Sequence, residues 1–346
     1  MFGSTSEIRT STDEKSETKI ADCKPYDPVE EAMKREKEFN ILLDQVNVDL
    51  AELRNLAWKG ISASCRAKSW MIMIGYVPTA RSRREETLER KRWEYKSIVR
   101  QHFDIERLKT EHDPIYKQIS IDIPRTCPDQ ALFKDEKVKL SLTRILYCWS
   151  VRRPASGYVQ GINDLVTPFY DVFLADRISR DSPDEVDFDS LEADCFWCFS
   201  KLVDSIQDNY TSGQTGIFRQ LSRMSELVAR TDPALVAHLS GEGLDFAQFA
   251  FRWMNCLLMR EFPLSMIIRM WDTYLAEGDG GFTDFHTYVC AAFLAKWSVQ
   301  LQTLDFGEML LLLQNPPTST WSLIDLEVLL SEAYVWKSLF HDAKLK

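Results

Sequence analysis

The chain of 346 residues is acidic, with 42 Lys and Arg against 52 Asp and Glu and a formal net charge of −10. That balance argues against a nucleic-acid binder, which normally presents a basic face, and leaves small molecules and other proteins as partners. With 45 % hydrophobic and 27 % charged residues, it has the composition of an ordinary globular chain long enough to bury a large core.

Residues 1–28 are rich in Ser, Thr, Glu and Lys and poor in apolar side chains, which predicts a disordered N-terminal arm. The opening "MFGSTSEIRTSTDEKSETK" has no apolar core of the signal-peptide kind, so a cytoplasmic protein is expected. No run approaches the ~18 uncharged apolar residues of a membrane span. From Pro28 to about Trp58, Phe39, Leu42, Leu43, Val46, Val48, Leu50 and Leu53 mark a helical pattern. In "GISASCRAKSWMIMIGYVP", Ser62 or Ser64 can cap a helix that runs through Trp70 and ends near Gly75. "RSRREETLERKRWEYKSIVRQHF" reads as a charged helix whose mixed signs suit a solvated face.

Next comes "ISIDIPRTCP", where Pro124 and Pro128 stiffen the backbone on either side of Arg125. "VKLSLTRILYCWSV" then carries Val138, Leu142, Ile145, Leu146 and Trp149 at helical spacing, and the pattern breaks at "RRPASG". It resumes as "YVQGINDLVTPFYDVFLA", expected as a buried helix opened by Tyr158-Val159-Gln160-Gly161, with Gly157 stopping the helix before it. "SRDSPDEVDFDS" is a polar surface loop, and "LEADCFWCFSKLVDSI" the helix after it. Amphipathic helices follow in "GIFRQLSRMSELVART", "PALVAHLSGEGLDFAQFAFRWMNCLLMREF" and "LSMIIRMWDTYLAEG". "GDGGF" reads as a flexible break, and three further helices fill the remainder to residue 342. No hairpin, strand pair or repeat is evident. The chain is expected to be all-α.

Several chemistries find no support. The sequence has no G-x-x-x-x-G-K-[ST] phosphate loop, no G-x-S-x-G and no H-E-x-x-H, and none of its five histidines lies beside an obvious nucleophile. "CFWC" (Cys195–Cys198) has no second pair or nearby histidine to complete a metal site, and the eight cysteines read as reduced thiols, mostly core-filling. "EGDGGFTD" lacks the alternating ligands of a calcium loop. Trp253, Trp271 and Phe251 fit a core at helical spacing, and Arg260, Glu261 and Asp272 fit buried ion pairs that fix helix packing.

Two loops look purposeful. One is I-x-x-D-x-x-R (Ile119, Asp122, Arg125); the other is "SGYVQGIND" (Ser156–Asp164). Their polar tips, Arg125 and Gln160, are 35 residues apart with one helix between them, so antiparallel packing of the next helix would bring both loops to one end. Each residue has a plain structural alternative: a salt bridge with Asp122 for Arg125, and a helix-capping amide for Gln160. A guanidinium and a carboxamide presented together suit GTP hydrolysis, where one stabilises phosphoryl charge and the other orients the attacking water. A self-contained hydrolase is disfavoured, because the chain has no nucleotide site or nucleophile motif of its own.

I-x-x-D-x-x-R followed by Y-x-Q resembles the dual-finger signature of the TBC domain of Rab GTPase-activating proteins. "RNLAWKGI…R…SW…IGY" (Arg54–Tyr76, with Arg66 and Trp70) resembles its opening block. "FAFRWMNCLLMREFPLSMIIRMWDTYLAEG" (Phe249–Gly278, with Arg252, Trp253, Trp271 and Asp272) resembles its R-W…R-E-x-P…W-D block. "PASGYVQGINDLVTPF" and "LLLQNPPTSTW…LLSEAYVW" are similar to the branch of the yeast Golgi Ypt-GAP and its animal relatives. The resemblance covers roughly residues 50–345.

The resemblance implies a V-shaped multi-helix domain over residues 29–346, with an N-terminal subdomain of about 50–210 carrying both fingers and a C-terminal one of about 211–346. It makes Arg125 the arginine finger, Asp122 the carboxylate that orients it and Gln160 the glutamine finger. Tyr158, Gly161, Asn163 and Asp164 would shape the second loop and the Rab contact. Arg66, Trp70, Arg252, Trp253, Trp271 and Asp272 would be structural. The implied partner is a GTP-bound Rab, which owns the GTP and Mg²⁺, so the chain needs no cofactor or metal of its own. Its implied place is cytoplasmic, peripheral to the Golgi or other endomembranes, in vesicle-mediated transport. The competing expectation is a non-catalytic scaffold that binds a Rab or a Golgi adaptor. Three positions depart from the family pattern: Ser62 where it has proline, Arg153 where close relatives have histidine, and Cys127 where they tend to have asparagine.

Overall fold

A computed structural model describes residues 28–180 and 186–340. The expected arm at 1–28 lies, but for its last residue, outside the described residues. All regular secondary structure in the described chain is helical; its only strand-like pairing is an isolated bridge between Asn47 and Ala80. In chain order the helices are α1 (Pro28–Leu43), α2 (Leu50–Ala57), α3 (Ala63–Met73), α4 (Arg84–His102), α5 (Ile105–Thr110), α6 (Pro114–Asp122), α7 (Glu136–Val151), α8 (Thr167–Arg180) and α9 (Phe188–Ser205). There follow α10 (Thr215–Thr231), α11 (Pro233–Gly241), α12 (Phe246–Asn255), α13 (Leu264–Ala276), α14 (His286–Lys296), α15 (Ser298–Leu301), α16 (Phe306–Gln314) and α17 (Leu323–Phe340). None of them is long and apolar enough to cross a membrane.

One group of helices is organised by α9, which packs on α4, α7 and α8, while α6 packs on α7. A second group forms around α10, α12, α14 and α17. Helix α13 joins them, touching α2, α3 and α8 on one side and α17 on the other. Its junction is aromatic: Trp271 lies 5.4 Å from Phe169 and 6.1 Å from Trp70, ring centre to centre. Burying rings of this size supplies much of the apolar driving force at the joint.

Local hydrogen bonding explains where the chain departs from sequence periodicity. The stretch expected as one helix from Pro28 to Trp58 is two. Between them Val48 N–H donates to Thr79 O at 3.2 Å, and Asp49 accepts from Ala51 and Glu52 N–H as the N-cap of α2. Ser62 does occupy the N-cap of α3, but its hydroxyl makes no capping bond. The segment from Pro233 to Phe262 is also divided, with Leu257 and Leu258 at φ +50° and +59°. Both are fully buried, so packing rather than local preference holds them there.

"GDGGF" is not a flexible break. It continues through a 3₁₀ turn (Gly278–Gly280) into a π-helical turn (Gly281–Phe285) with Phe282 and Phe285 buried. A Cβ on Gly281 would lie 1.8 Å from Tyr274 O, so this glycine is there for close backbone approach.

Candidate functional site

The first purposeful loop is built by capping and proline chemistry. Asp113 caps α6 by accepting from Tyr116 N–H at 2.8 Å, with Pro114 at the first helical position. After Asp122 the chain tightens into a 3₁₀ turn, Ile123–Arg125, where Pro124 has no N–H to extend the ladder. Cys127 follows at φ +42°, a conformation that asparagine tolerates better than cysteine. An asparagine here, as the resemblance implies for close relatives, would meet less backbone strain. Burial raises the Cys127 thiol to about 11, so it is no nucleophile at neutral pH.

The second loop is not the start of a helix. Helical structure resumes only with a 3₁₀ turn at Asp164–Val166 leading into α8, and Tyr158–Asn163 is irregular. The cause is side-chain capture of the backbone. Asn163 Oδ1 accepts from Gly161 N–H at 3.1 Å, and Asn255 Nδ2 donates to Gln160 O at 3.1 Å. Gly161 sits at φ +100°, where a Cβ would meet Asn255 Nδ2 at 2.7 Å and Cys256 Sγ at 2.9 Å.

The two loops are cross-braced. Tyr158 Oη donates to Asp122 Oδ2 at 2.8 Å, and Asn163 Nδ2 donates to Thr126 Oγ1 at 2.9 Å. Thr126 Oγ1 in turn donates to Asp122 O, and Asn163 Nδ2 also reaches Asp164 Oδ1 at 3.1 Å. Asp122, Thr126, Asn163 and Asp164 are all buried. Burial and the neighbouring Asp122 push the Tyr158 hydroxyl far above its usual range, so it stays protonated and donates. Arg260 Nε donates to Asp164 Oδ2 at 2.8 Å, offsetting the burial that raises the Asp164 carboxyl.

Asp122 therefore does not hold Arg125. Its carboxylate is directed at Tyr158, with Gln118 Nε2 a weaker donor at 3.4 Å, and no hydrogen bond or ion pair joins it to Arg125. The Arg125 guanidinium and the Gln160 carboxamide are both exposed, and neither makes a side-chain hydrogen bond or ion pair among the described residues. The salt-bridge and capping alternatives both fall. Both residues line one cleft of about 760 Å³.

Replacing Tyr158 with phenylalanine is expected to leave the buried Asp122 underpaired and to cost about 1–3 kcal/mol. A denaturant titration reads this directly, and an unchanged midpoint would show that the brace carries no stability.

The remaining motif residues are structural in place. Fully buried Asp272 accepts from Arg66 Nε (3.1 Å), Trp70 Nε1 (2.7 Å) and Ile61 N–H (2.9 Å). Arg252 Nε donates to Glu261 at 2.7 Å and Nη2 to Gln314 O at 2.6 Å, while Trp253 is fully buried. Sequence reasoning missed Thr126 and Asn255, whose bonds fix the loops. It also missed the far wall of the cleft, which includes residues 314–316 and Thr318. Thr318 Oγ1 donates to Glu261 O, holding that wall in place. The polar "NPPTST" stretch was the available signal.

No group of three or more His, Cys, Asp or Glu side chains converges on a metal position among the described residues. Among the described residues the geometry offers an unpaired cation, Arg125, and an unpaired amide, Gln160, on cross-braced loops beside an open cleft, whose lining also includes the unpartnered carboxamides of Gln130 and Gln314.

The model of the Rab-GTPase-TBC domain family matches residues 63–302, which hold both loops but not the wall at 314–319. The GTPase-activating protein gyp1 of Schizosaccharomyces pombe is 51 % identical over 321 residues, covering 89 % of this chain and 62 % of that protein. TBC1 domain family member 22A of Homo sapiens is 48 % identical over 315 residues, 88 % of this chain and 60 % of that protein. The chain thus spans about three-fifths of the length of these curated relatives. Among solved structures, the crystal structure of the Ypt/Rab-GAP domain of Gyp1p matches with a TM-score of 0.84 at 46 % identity, covering 89 % of this chain and 99 % of that one. The chain belongs to the Rab-GTPase-TBC domain family.

Proposed function

We propose that this chain accelerates GTP hydrolysis by a Rab-family GTPase, inserting Arg125 and Gln160 beside GTP held by the partner. The observation that carries this reading is the pair itself: two exposed, unpaired side chains on loops locked together by the Tyr158–Asp122 and Asn163–Thr126 bonds. The guanidinium neutralises charge on the transferring phosphoryl oxygens, and the carboxamide orients the attacking water. GTP and its Mg²⁺ belong to the Rab; this chain completes a site that it does not own. The brace lowers the entropy lost when both groups meet the nucleotide. Work in vesicle traffic at the Golgi or other endomembranes follows from the same reading, on the family resemblance.

The test is single-turnover phosphate release from a panel of GTP-loaded Rabs, with wild-type protein and with Gln160→Ala. One or a few Rabs are expected to respond, and the substitution to remove about 10²-fold or more of the acceleration. Full activity of Gln160→Ala would mean that the Rab positions its own water. A Rab that binds without any acceleration would favour the scaffold reading instead.

A further inference from the structure

A second cavity, of about 530 Å³, lies among α3, α4, α7 and α9 and shares no lining residue with the finger cleft. Six cations line it: Arg83, Arg90, Lys91, Arg152, Arg153 and Lys201. Asp204 is the one carboxylate among its lining residues. On a chain of net charge −10, such a local excess runs against the overall balance. Mixed signs along α4 predicted a merely solvated face; the fold gathers its basic residues against those of two other helices.

Part of this charge is already compensated. Arg90 and Lys91 share Glu94 at 2.8 and 2.7 Å, and Arg153 holds Asp204 at 2.7 Å. Arg83 and Lys201 have no ion-pair or side-chain hydrogen-bond partner among the described residues, and Arg152 has only the Trp197 ring, 5.5 Å away. Lys91 Nζ lies over the same ring at 3.9 Å, and the indole is fixed by donating from Nε1 to Lys91 O at 2.8 Å. The pocket thus combines a locked aromatic wall with three uncompensated cations, one just before α4, one just after α7 and one on α9.

The geometry points to this pocket as a binding site for a phosphorylated ring, of the class of an inositol phosphate. Phosphomonoesters carry about −1.5 to −2 charge each and accept the forked donors of arginine. The cations converge on a concavity rather than running as a stripe, which favours a compact polyanion over a linear polymer. The volume is in the range of small-ligand sites, and the Trp197 ring, with Lys91 over its face, forms a fixed wall that keeps a cation in the pocket lining. The same chemistry is offered by a soluble inositol phosphate and by the headgroup of a phosphatidylinositol phosphate.

The experiment measures binding of inositol trisphosphate to the full chain by calorimetry, and cosedimentation with phosphatidylcholine vesicles containing a phosphatidylinositol phosphate. Vesicles containing phosphatidylserine at matched charge are the control. Wild type is expected to bind the soluble ligand saturably and more tightly than inorganic phosphate. The single variants Arg152→Glu and Lys201→Glu should each weaken this by about 10–100-fold, the effect of losing a charge-assisted hydrogen bond. Arg83→Glu lies on another segment and should show the same loss independently, with unchanged thermal unfolding. Vesicle capture above the phosphatidylserine control assigns the lipid headgroup, and soluble binding alone assigns the free phosphate ester. Equal binding by wild type and variants, binding no tighter than inorganic phosphate, or tighter binding of a phosphoserine peptide would each overturn the proposal.

Discussion

Replacing Arg125 with alanine is expected to reduce the acceleration of a responsive Rab by about 10³-fold or more, the usual effect of removing an arginine finger. The protein's thermal unfolding should not change, because the guanidinium is exposed and makes no ion pair or hydrogen bond in the free protein. Binding to the GTP-loaded Rab should fall far less than the rate, since in the proposed mechanism the arginine acts mainly on charge that develops during transfer. Arg125→Lys should recover little, because an ammonium lacks the planar fork that spans two oxygens. Single-turnover phosphate release together with a binding titration checks all three points. A rate within a few-fold of wild type for Arg125→Ala would remove the arginine from the mechanism. A matching loss of binding would make it a contact residue rather than a catalytic one.

The second large effect is on stability. Asp272→Ala should destabilise the protein by about 3–5 kcal/mol, the range for removing one member of a buried ion pair. The carboxylate is fully buried and receives Arg66, Trp70 Nε1 and Ile61 N–H; removing it leaves all three without that acceptor. Arg66 retains its bond to Ile61 O and partial exposure, which moderates the loss. From the typical unfolding entropy per residue, the expected fall in Tm for a chain of this size is roughly 4–7 °C. Asp272→Asn, which keeps one acceptor oxygen, should lose less. Differential scanning calorimetry would decide. An unchanged Tm for Asp272→Ala would mean that the α3–α13 joint is held by its aromatic packing alone. The two substitutions are opposite in kind: Arg125→Ala alters rate without stability, and Asp272→Ala alters stability first.

Helix existence was readable from apolar spacing in most segments, because a helix records its buried face every three to four residues. The breaks were less readable. Residues 44–49 leave the helix to bond the chain at 79–81, and 158–163 leave it for side chains of Asn163 and Asn255. In both places the competing partner is remote or polar, and apolar periodicity is silent about it. Gly281 shows the same limit in reverse: a glycine cluster looks like freedom until the backbone of Tyr274 is found against it.

At the candidate site, residue types and their stiff flanks were enough to single out Arg125 and Gln160, and the wider motif pattern was enough to indicate the family. Proline and glycine act through their own backbone, so their effect is local and written in order along the chain. What those residues touch was settled only by folding. Asp122 lies three positions from Arg125, yet it bonds Tyr158, 36 positions away. Residues 314–316 and Thr318 close a cleft opened by residues 122–164, and three separated segments pool the cations of the second pocket. Such pairings depend on which helices pack side by side and at what angle, a property of the whole core.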